Sequence, residues 1–160
     1  MPVVGIVGPT GTGKSDLAIA LAQRLDGEVV NADSMQFYRG MDIGTAKATP
    51  AERAGVPHHL LSFLPPTHEY DITQFVADAT RLCTDMHERR TLPILVGGTT
   101  YYIQHLLFPG RLVSKAPDAP AADTPAAREM IIQIWRADGV MLYRSPQGRL
   151  LPPQTVIGFS

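Results

Sequence analysis

Apolar and polar positions form two kinds of segment along roughly the first hundred residues. Short runs of aliphatic residues stand between longer stretches in which apolar positions recur every three to four residues. The short runs are typical of buried β-strands, and the longer stretches are typical of amphipathic α-helices. Strands that alternate with helices indicate a parallel sheet with helices on its faces. We therefore predict an α/β fold built on an open parallel sheet flanked by helices.

The predicted elements follow from these patterns. The strands are expected at Val3–Val7, Glu28–Ala32 and Leu92–Val96. The helices are expected at Gly13–Asp26, Ile72–Arg90 and Thr100–Phe108. Asp71 and Gln74 have the spacing of a capping box at the start of the second helix. A further apolar run, His58–Leu64, ends at two consecutive prolines.

The pattern changes after Pro109. The segment Ala116–Ala127 is rich in Pro and Ala and has no apolar period, so it is predicted to be a linker. A short helix is expected at Arg128–Arg136, with four apolar residues on its buried face: Met130, Ile131, Ile134 and Trp135. We thus expect a core at residues 1–110 and a linker with an irregular tail at 111–160. A parallel sheet that stops at its third strand exposes an apolar edge, so aggregation is expected unless the tail covers that edge.

Composition narrows the class of protein only slightly. The chain has 14 Lys and Arg against 15 Asp and Glu, so no overall basic field attracts nucleic acid, although local placement matters more than the sum. The single cysteine, Cys83, excludes an internal disulfide and is expected to be a buried thiol on the apolar face of its helix. No apolar run is long enough to span a bilayer. We expect a soluble, monomeric, intracellular protein that does not interact with a membrane.

The sequence GPTGTGKS lies between the first predicted strand and the first predicted helix. Its glycines let several backbone N–H groups point into one concavity, and its lysine adds a positive charge for the outer phosphates. The serine hydroxyl is placed to bind Mg²⁺ that bridges phosphate oxygens. The predicted diphosphate-binding residues are Gly8, Pro9, Thr10, Gly11, Thr12, Gly13, Lys14 and Ser15, with Ser15 also a metal ligand.

Asp33 follows the second predicted strand, at the sheet edge where ligands bind in open α/β folds. Its carboxylate suits a Mg²⁺ ligand, a proton acceptor or a helix cap, and position alone does not decide among them. The third strand ends in Gly97-Gly98-Thr99 without a carboxylate, which weakens an ATPase or GTPase interpretation. The stretch Asn31–Lys47 mixes polar, basic, sulfur-containing and aromatic residues, as expected where a base is stacked and its edges are bound.

Four blocks together resemble the tRNA dimethylallyltransferases, also called tRNA isopentenyltransferases, with a likeness closer to the eukaryotic members. The blocks are GPTGTGKSDLAIALAQRL, NADSMQFYRGMDIGTAK, VPHHLL and LPILVGGTTYYIQHLLF, in collinear order over about residues 3–108. The resemblance implies that the phosphate loop binds dimethylallyl diphosphate rather than ATP, assisted by Mg²⁺. It also implies that N6 of an adenine beside the tRNA anticodon attacks the allylic carbon and that pyrophosphate leaves.

The resemblance also implies roles for individual residues. Asp33 matches the general base of the family, which takes or orients the N6 proton. The residues that match its tRNA contacts are Asp33, Ser34, Met35, Gln36 and Thr99. Its partners would be dimethylallyl diphosphate and the anticodon arm of tRNA. Its location would be the cytoplasm, with mitochondrial or nuclear pools as further options.

The chain departs from the family after the helix expected at Thr100–Phe108. Family members continue into a helical domain that grips the anticodon arm, and they bring an arginine to the diphosphate. Arg128 and Arg136 lie in a segment that does not align with the family, so we expect a truncated core that lacks the tRNA-binding domain. Three alternatives stay open: prenyl transfer to free adenine nucleotides, a small-molecule kinase that uses ATP, and a non-catalytic module that only binds diphosphate.

Overall fold

The computed structural model describes residues 2–98, 100–107, 131–136 and 141–144. The strands are β1 (Pro2–Val7), β2 (Gly27–Asn31), β3 (His58–His59), β4 (Leu92–Gly97), β5 (Ile131–Arg136) and β6 (Met141–Arg144). The α-helices are α1 (Lys14–Leu25), α2 (Ile72–Glu88) and α3 (Thr100–Leu107). A short 3₁₀ helix covers Ser34–Phe37. The three strands and three helices predicted before Pro109 are confirmed.

The strands form one sheet in the order β3-β2-β4-β1-β5-β6. The strands β3, β2, β4 and β1 are parallel, with Ile94 of β4 level with Val29 on one side and Val4 on the other. The strands β5 and β6 continue the sheet beyond β1 in antiparallel pairings. Because β1, β2 and β4 are parallel, the loops that follow them meet at one edge of the sheet.

The helix predicted at Arg128–Arg136 is wrong, because residues 131–136 form β5. Three isoleucines and a tryptophan in this segment favour an extended backbone through their branched or aromatic side chains. The free edge of β1 supplies the hydrogen-bonding partner, with Val3 level with Trp135 and Ile6 level with Ile132. The apolar edge expected to be exposed is therefore paired. The predicted linker at 116–127 lies outside the described residues, and the boundary at residue 110 stays a prediction.

Alternate residues of the central strands pack on opposite faces of the sheet. One face is covered by α1, and its buried residues include Val4, Ile6, Ala18, Ile19, Ala22, Val29, Ile94 and Val96. The other face is covered by α2 and α3, and its buried residues include Val3, Val7, Val30, Phe75, Ala79, Met86, Leu95, Ile103 and Leu106. The described part of the sheet thus has a helix layer on each side, as the alternating pattern predicts.

Phe37 joins the 3₁₀ helix to the second of these layers. Its ring is fully buried and lies 5.1 to 6.0 Å, centroid to centroid, from four other aromatic rings. These rings are Phe63, Tyr70, Phe75 and Tyr102. The segment directly after Asp33 is therefore anchored to α2 and α3.

Two local predictions in α2 are also confirmed. Asp71 Oδ1 accepts a hydrogen bond from Gln74 N–H at 2.9 Å, and Gln74 Oε1 accepts from Asp71 N–H at 3.0 Å, which completes the capping box. Cys83 packs against the core, and burial raises the pKa of its thiol to about 12. The thiol is therefore protonated and unreactive at neutral pH. Among the helices of the described ranges, none is long and apolar enough to cross a membrane.

Candidate active site

The phosphate loop curls between β1 and α1 with two glycines in the left-handed region. Gly11 has φ +83° and Gly13 has φ +82°, values that favour residues without a Cβ atom. The loop closes on the carbonyl oxygen of Pro9, which accepts hydrogen bonds from Thr12 Oγ1 at 2.9 Å and Lys14 Nζ at 2.7 Å. Gly13 is the N-cap of α1 and offers no side-chain cap, so amides of the first turn are available to an anion.

Lys14 and Asp33 lie in one electrostatic environment. Burial lowers the pKa of Lys14, and the nearby Asp33 carboxylate opposes that shift. A partly dehydrated ammonium binds phosphate oxygens more strongly than a fully hydrated one. Lys14 and Asp33 therefore bring a cation and a carboxylate to the same cavity.

A cavity of about 290 Å³ lies at the carboxyl edge of the parallel strands. The phosphate loop and α1 form one wall, the segment after β2 and the loop around residue 47 form another, and the end of β4 forms the floor. Its polar lining includes Thr10, Lys14, Ser15, Asp16, Asn31, Asp33, Gln36, Thr45, Lys47 and Glu52. Its volume is at the lower end of those that hold small ligands.

The two carboxylate oxygens of Asp33 have different surroundings. Oδ1 accepts a hydrogen bond from Met35 N–H at 3.0 Å and caps the 3₁₀ helix. Oδ2 faces Gly98, where an added Cβ atom would lie 3.3 Å away. The cap and the ligand roles considered for Asp33 are thus compatible, because one oxygen makes the cap while the other faces Gly98 beside the cavity.

The glycines at the end of β4 permit a close approach to the end of β2. A Cβ atom on Gly97 would lie 2.8 Å from the carbonyl oxygen of Ala32, closer than a real contact allows. Glycines at such a turn permit a close approach of the backbone to a neighbouring group. In the structure, the backbone of Gly97 and Gly98 approaches Ala32 and Asp33, and both glycines also line the cavity.

Of the predicted nucleotide contacts, Asp33 and Gln36 line the cavity. Gln36 Nε2 donates to the carbonyl oxygen of Thr45 at 2.8 Å, which ties the 3₁₀ helix to the following loop. Ser34 begins the 3₁₀ helix, and the Met35 side chain is 50% exposed. Thr99 lies outside the described residues.

Sequence reasoning gave no specific role to two further residues of the cavity. Lys47 is 8% exposed, and its Nζ donates to the carbonyl oxygen of Tyr38 and to Asp42 Oδ1. Asn31 is 3% exposed and hydrogen bonds to the main chain of Asp33. The signal for Asn31 was its position two residues before Asp33, the spacing of a side chain that bonds its own backbone.

A family model described as "IPP transferase" matches residues 36–143, and one described as "Isopentenyl transferase" matches residues 1–62. The chain belongs to the IPP transferase family. Relatives of this IPP transferase chain include the tRNA dimethylallyltransferase of Pseudarthrobacter chlorophenolicus, which is 59% identical over 113 residues, covering 68% of this chain and 38% of that protein. The tRNA dimethylallyltransferase of Frankia casuarinae is 44% identical over 157 residues, which cover 81% of this chain and 54% of that protein. The chain thus spans from about a third to about half the length of these relatives.

Solved structures confirm the fold class of this IPP transferase chain. The full-length tRNA isopentenylpyrophosphate transferase of Bacillus halodurans has a TM-score of 0.64 and 46% identity, over 72% of this chain and 38% of that one. A eukaryotic dimethylallyltransferase acting on tRNA has a TM-score of 0.63 and 38% identity, over 76% of this chain and 32% of that one. The identity is higher to the bacterial structure, so the expected closeness to eukaryotic members is wrong for this pair.

Proposed function

We propose that this chain transfers a dimethylallyl group from dimethylallyl diphosphate to N6 of an adenine beside the anticodon of a tRNA. The observation that carries the proposal is the cavity itself, because it joins the phosphate loop to Asp33 and Gln36. A phosphate-binding wall thus faces a wall with a proton acceptor and a side-chain amide. Membership of the IPP transferase family supports the same reaction.

The residues divide the reaction between two walls of the cavity. The amides of the phosphate loop and Lys14 bind the diphosphate and stabilise the negative charge that grows on it as the allylic C–O bond breaks. The lone pair of adenine N6 forms the new N–C bond at the same carbon. The proton lost from N6 passes to the Asp33 carboxylate, whose Oδ1 is held by Met35 N–H. Pyrophosphate is the leaving group, so no water has to be activated.

Mg²⁺ fits the oxygen donors of this cavity. Mg²⁺ prefers oxygen ligands and commonly binds through one or two protein groups together with substrate phosphates. The Ser15 hydroxyl lies in the cavity lining next to the phosphate loop, with the carboxylates of Asp16 and Asp33 in the same lining. We propose that Ser15 holds the ion, which when bound neutralises charge on the diphosphate.

Gln36 is suited to recognise adenine. One of its amide N–H groups is committed to Thr45, which fixes the orientation of the amide. Its carbonyl oxygen and remaining N–H match the N6 amine and a ring nitrogen of adenine. Met35, which is half exposed, offers an apolar contact to a base beside it. These contacts support an adenine acceptor.

The test is transfer of a labelled dimethylallyl group, with Mg²⁺ present, to an anticodon stem-loop RNA, with AMP as a competing acceptor. We expect label on the stem-loop and a loss in kcat of about a hundredfold or more for Asp33→Asn, with unchanged affinity for the diphosphate. Label on AMP alone would indicate a prenyltransferase for free nucleotides. Binding of ATP in preference to dimethylallyl diphosphate would indicate a kinase, and diphosphate binding without transfer a non-catalytic module.

We infer that the chain acts as a monomer in the cytoplasm, with mitochondrial or nuclear pools as further locations. Analytical ultracentrifugation with and without the stem-loop RNA measures the oligomeric state.

A further inference from the structure

Asn31, the last residue of β2, has a buried side-chain amide that both donates and accepts hydrogen bonds. Asn31 Nδ2 donates to the carbonyl oxygens of Asp33 at 3.1 Å and Leu60 at 2.9 Å. Asn31 Oδ1 accepts from Asp33 N–H at 3.2 Å. A flipped amide would set oxygen against two carbonyl oxygens, so these partners fix its orientation. The side chain therefore holds the main chain of Asp33 at both its N–H and its carbonyl group.

Leu60 provides the anchor on the other side of Asn31. It follows β3 and has φ +55°, in the left-handed region that branched residues rarely adopt. This conformation presents the Leu60 carbonyl oxygen to Asn31 across 29 positions of sequence. A left-handed backbone conformation at a non-glycine residue costs free energy, and it persists only where the surrounding structure holds it.

The hydrogen bonds continue from Asn31 through Asp33 to its carboxylate. With the Asp33 main chain held by Asn31, the bond from Met35 N–H to Oδ1 fixes the side chain as well. The carboxylate is then held relative to Gly98, directly after β4, and to the positive charge of Lys14. A misplacement of about 1 Å at such a group can cost a hundredfold in rate.

We propose that Asn31 is a positioning residue that anchors Asp33 to the segment after β3 and so sets where its carboxylate lies in the cavity. The consequence for catalysis rests on the proposed function, in which Asp33 accepts the N6 proton. The consequence for the geometry of Asp33 does not depend on that function. Two measurements separate them.

The first measurement compares the kinetics of three variants. Asn31→Leu has a similar volume and no polar group, whereas Asn31→Ser keeps a hydroxyl that can accept from the amide two residues on. We expect Asn31→Leu to lower kcat about 10- to 100-fold while KM for dimethylallyl diphosphate stays within about twofold, with Asn31→Ser between it and the parent chain. Tyr70→Phe, which removes a hydrogen bond to Asp78, is the control for a general loss of stability.

The second measurement is amide hydrogen exchange, which needs no activity. Met35 N–H bonds to the Asp33 carboxylate, so its exchange reports the position of that carboxylate. In Asn31→Leu we expect Asp33 and Met35 amides to exchange at least about tenfold faster, while Arg39 N–H, bonded to the Leu60-side segment at Leu64, keeps its rate.

The outcomes are distinct. The proposal would be overturned if, in Asn31→Leu, only the Asp33 amide exchanged faster, or if the Arg39 amide accelerated as much as the Met35 amide. It would also be overturned if kcat of Asn31→Leu were no lower than that of Tyr70→Phe. If the parent chain transfers no prenyl group, the proposed function fails. The exchange at Met35 then still decides whether Asn31 positions Asp33.

Discussion

Lys14 donates its hydrogen bond to a carbonyl oxygen of its own loop, that of Pro9, at 2.7 Å. A diphosphate offers stronger acceptors than this carbonyl, because hydrogen bonds between charged groups are about twice as strong as neutral ones. The bond to Pro9 holds the ammonium at the loop, where the proposed diphosphate would bind.

Lys14→Ala is expected to weaken binding of dimethylallyl diphosphate about 10- to 100-fold, since a hydrogen bond between charged groups contributes about 1.5 to 3 kcal/mol. Isothermal titration calorimetry measures the dissociation constant. Arg24→Ala, at the exposed far end of the same helix, is the matched control and should leave it unchanged. Equal affinities in the two variants would exclude Lys14 from the diphosphate site.

Gly97→Ala is expected to destabilise the fold by about 1 to 3 kcal/mol, because the new methyl group would overlap backbone rather than a movable side chain. The distance of 2.8 Å to the Ala32 carbonyl oxygen leaves no room for it. Urea unfolding measures the free energy. Gly44→Ala is the control, because an added Cβ there has no neighbour within 4 Å. A Gly97→Ala variant as stable as Gly44→Ala would contradict the close approach of β4 and β2.

At the scale of elements, the loop between Tyr38 and Lys47 is closed by one buried lysine. Its ammonium bonds to the Tyr38 carbonyl oxygen and to Asp42, whose own side chain is 64% exposed. Lys47→Met would leave the partly buried carbonyl oxygen of Tyr38 without this partner, at a cost of about 1 to 3 kcal/mol.

The loop should then open more often, and thermolysin should cut faster at Ile43, which is 99% exposed. Limited proteolysis followed by mass spectrometry measures the rate. Asp42→Asn is the control, with a smaller effect expected because that partner is largely solvated. Identical cleavage of the two variants would show that Lys47 does not close the loop.

The amino end of the sheet carries an ionic cluster around Glu28. Its carboxylate accepts hydrogen bonds from Arg89 at 2.8 and 3.1 Å and pairs with His59 at 2.7 Å. These bonds, that from Arg89 foremost, hold the pKa of Glu28 below its ordinary value of 4.5. The contribution to stability is present above that ordinary value and is lost as pH falls through the lower pKa of the folded state.

We expect the thermal unfolding midpoint of the parent chain to decrease once the pH drops below about 4.5. The midpoint of Glu28→Gln should decrease less steeply over the same pH range. Differential scanning fluorimetry from pH 7 to pH 3 gives both curves. Parallel curves for the two proteins would mean that the Glu28 cluster does not contribute to acid unfolding.

Most elements were predictable because their signal is local. The apolar period places α1 and α2, and the phosphate loop and Asp33 follow from motif and strand position. The run His58–Leu64 was predictable only in part, because Leu60 and Ser62 leave the extended region with φ +55° and +51° and end β3 after two residues. β5 and the contact of Asn31 with Leu60 depend on partners far away in sequence, which no local pattern encodes.

At the scale of the whole molecule, the described sheet is parallel around the cavity and antiparallel beyond β1. β5 pairs with β1 on one side and β6 on the other, and Ile134 lies level with both Val4 and Tyr143. It therefore covers the edge of β1, which would otherwise be open to pairing with other chains.

Ile134→Pro is expected to break this ladder, because proline lacks the N–H that an interior strand donates. The chain should self-associate more, and a loss of about 1 kcal/mol would lower the thermal midpoint by about 2 to 4 °C. Light scattering and calorimetry measure the two effects. Ile134→Val, which keeps the strand propensity, should behave like the parent chain. A monodisperse proline variant would contradict the protective role of β5.

The buried ring of Phe37 has a consequence for engineering. The four residues proposed to contact the acceptor, Asp33–Gln36, are followed by Phe37, whose ring is surrounded by four other aromatic rings from the following loop, α2 and α3. If those four residues were grafted onto another phosphate-loop protein, they would lack this aromatic cluster, and the position of the Asp33 carboxylate would no longer be fixed. Transfer of acceptor specificity between such proteins therefore requires grafting the aromatic cluster around Phe37 together with Asp33–Gln36.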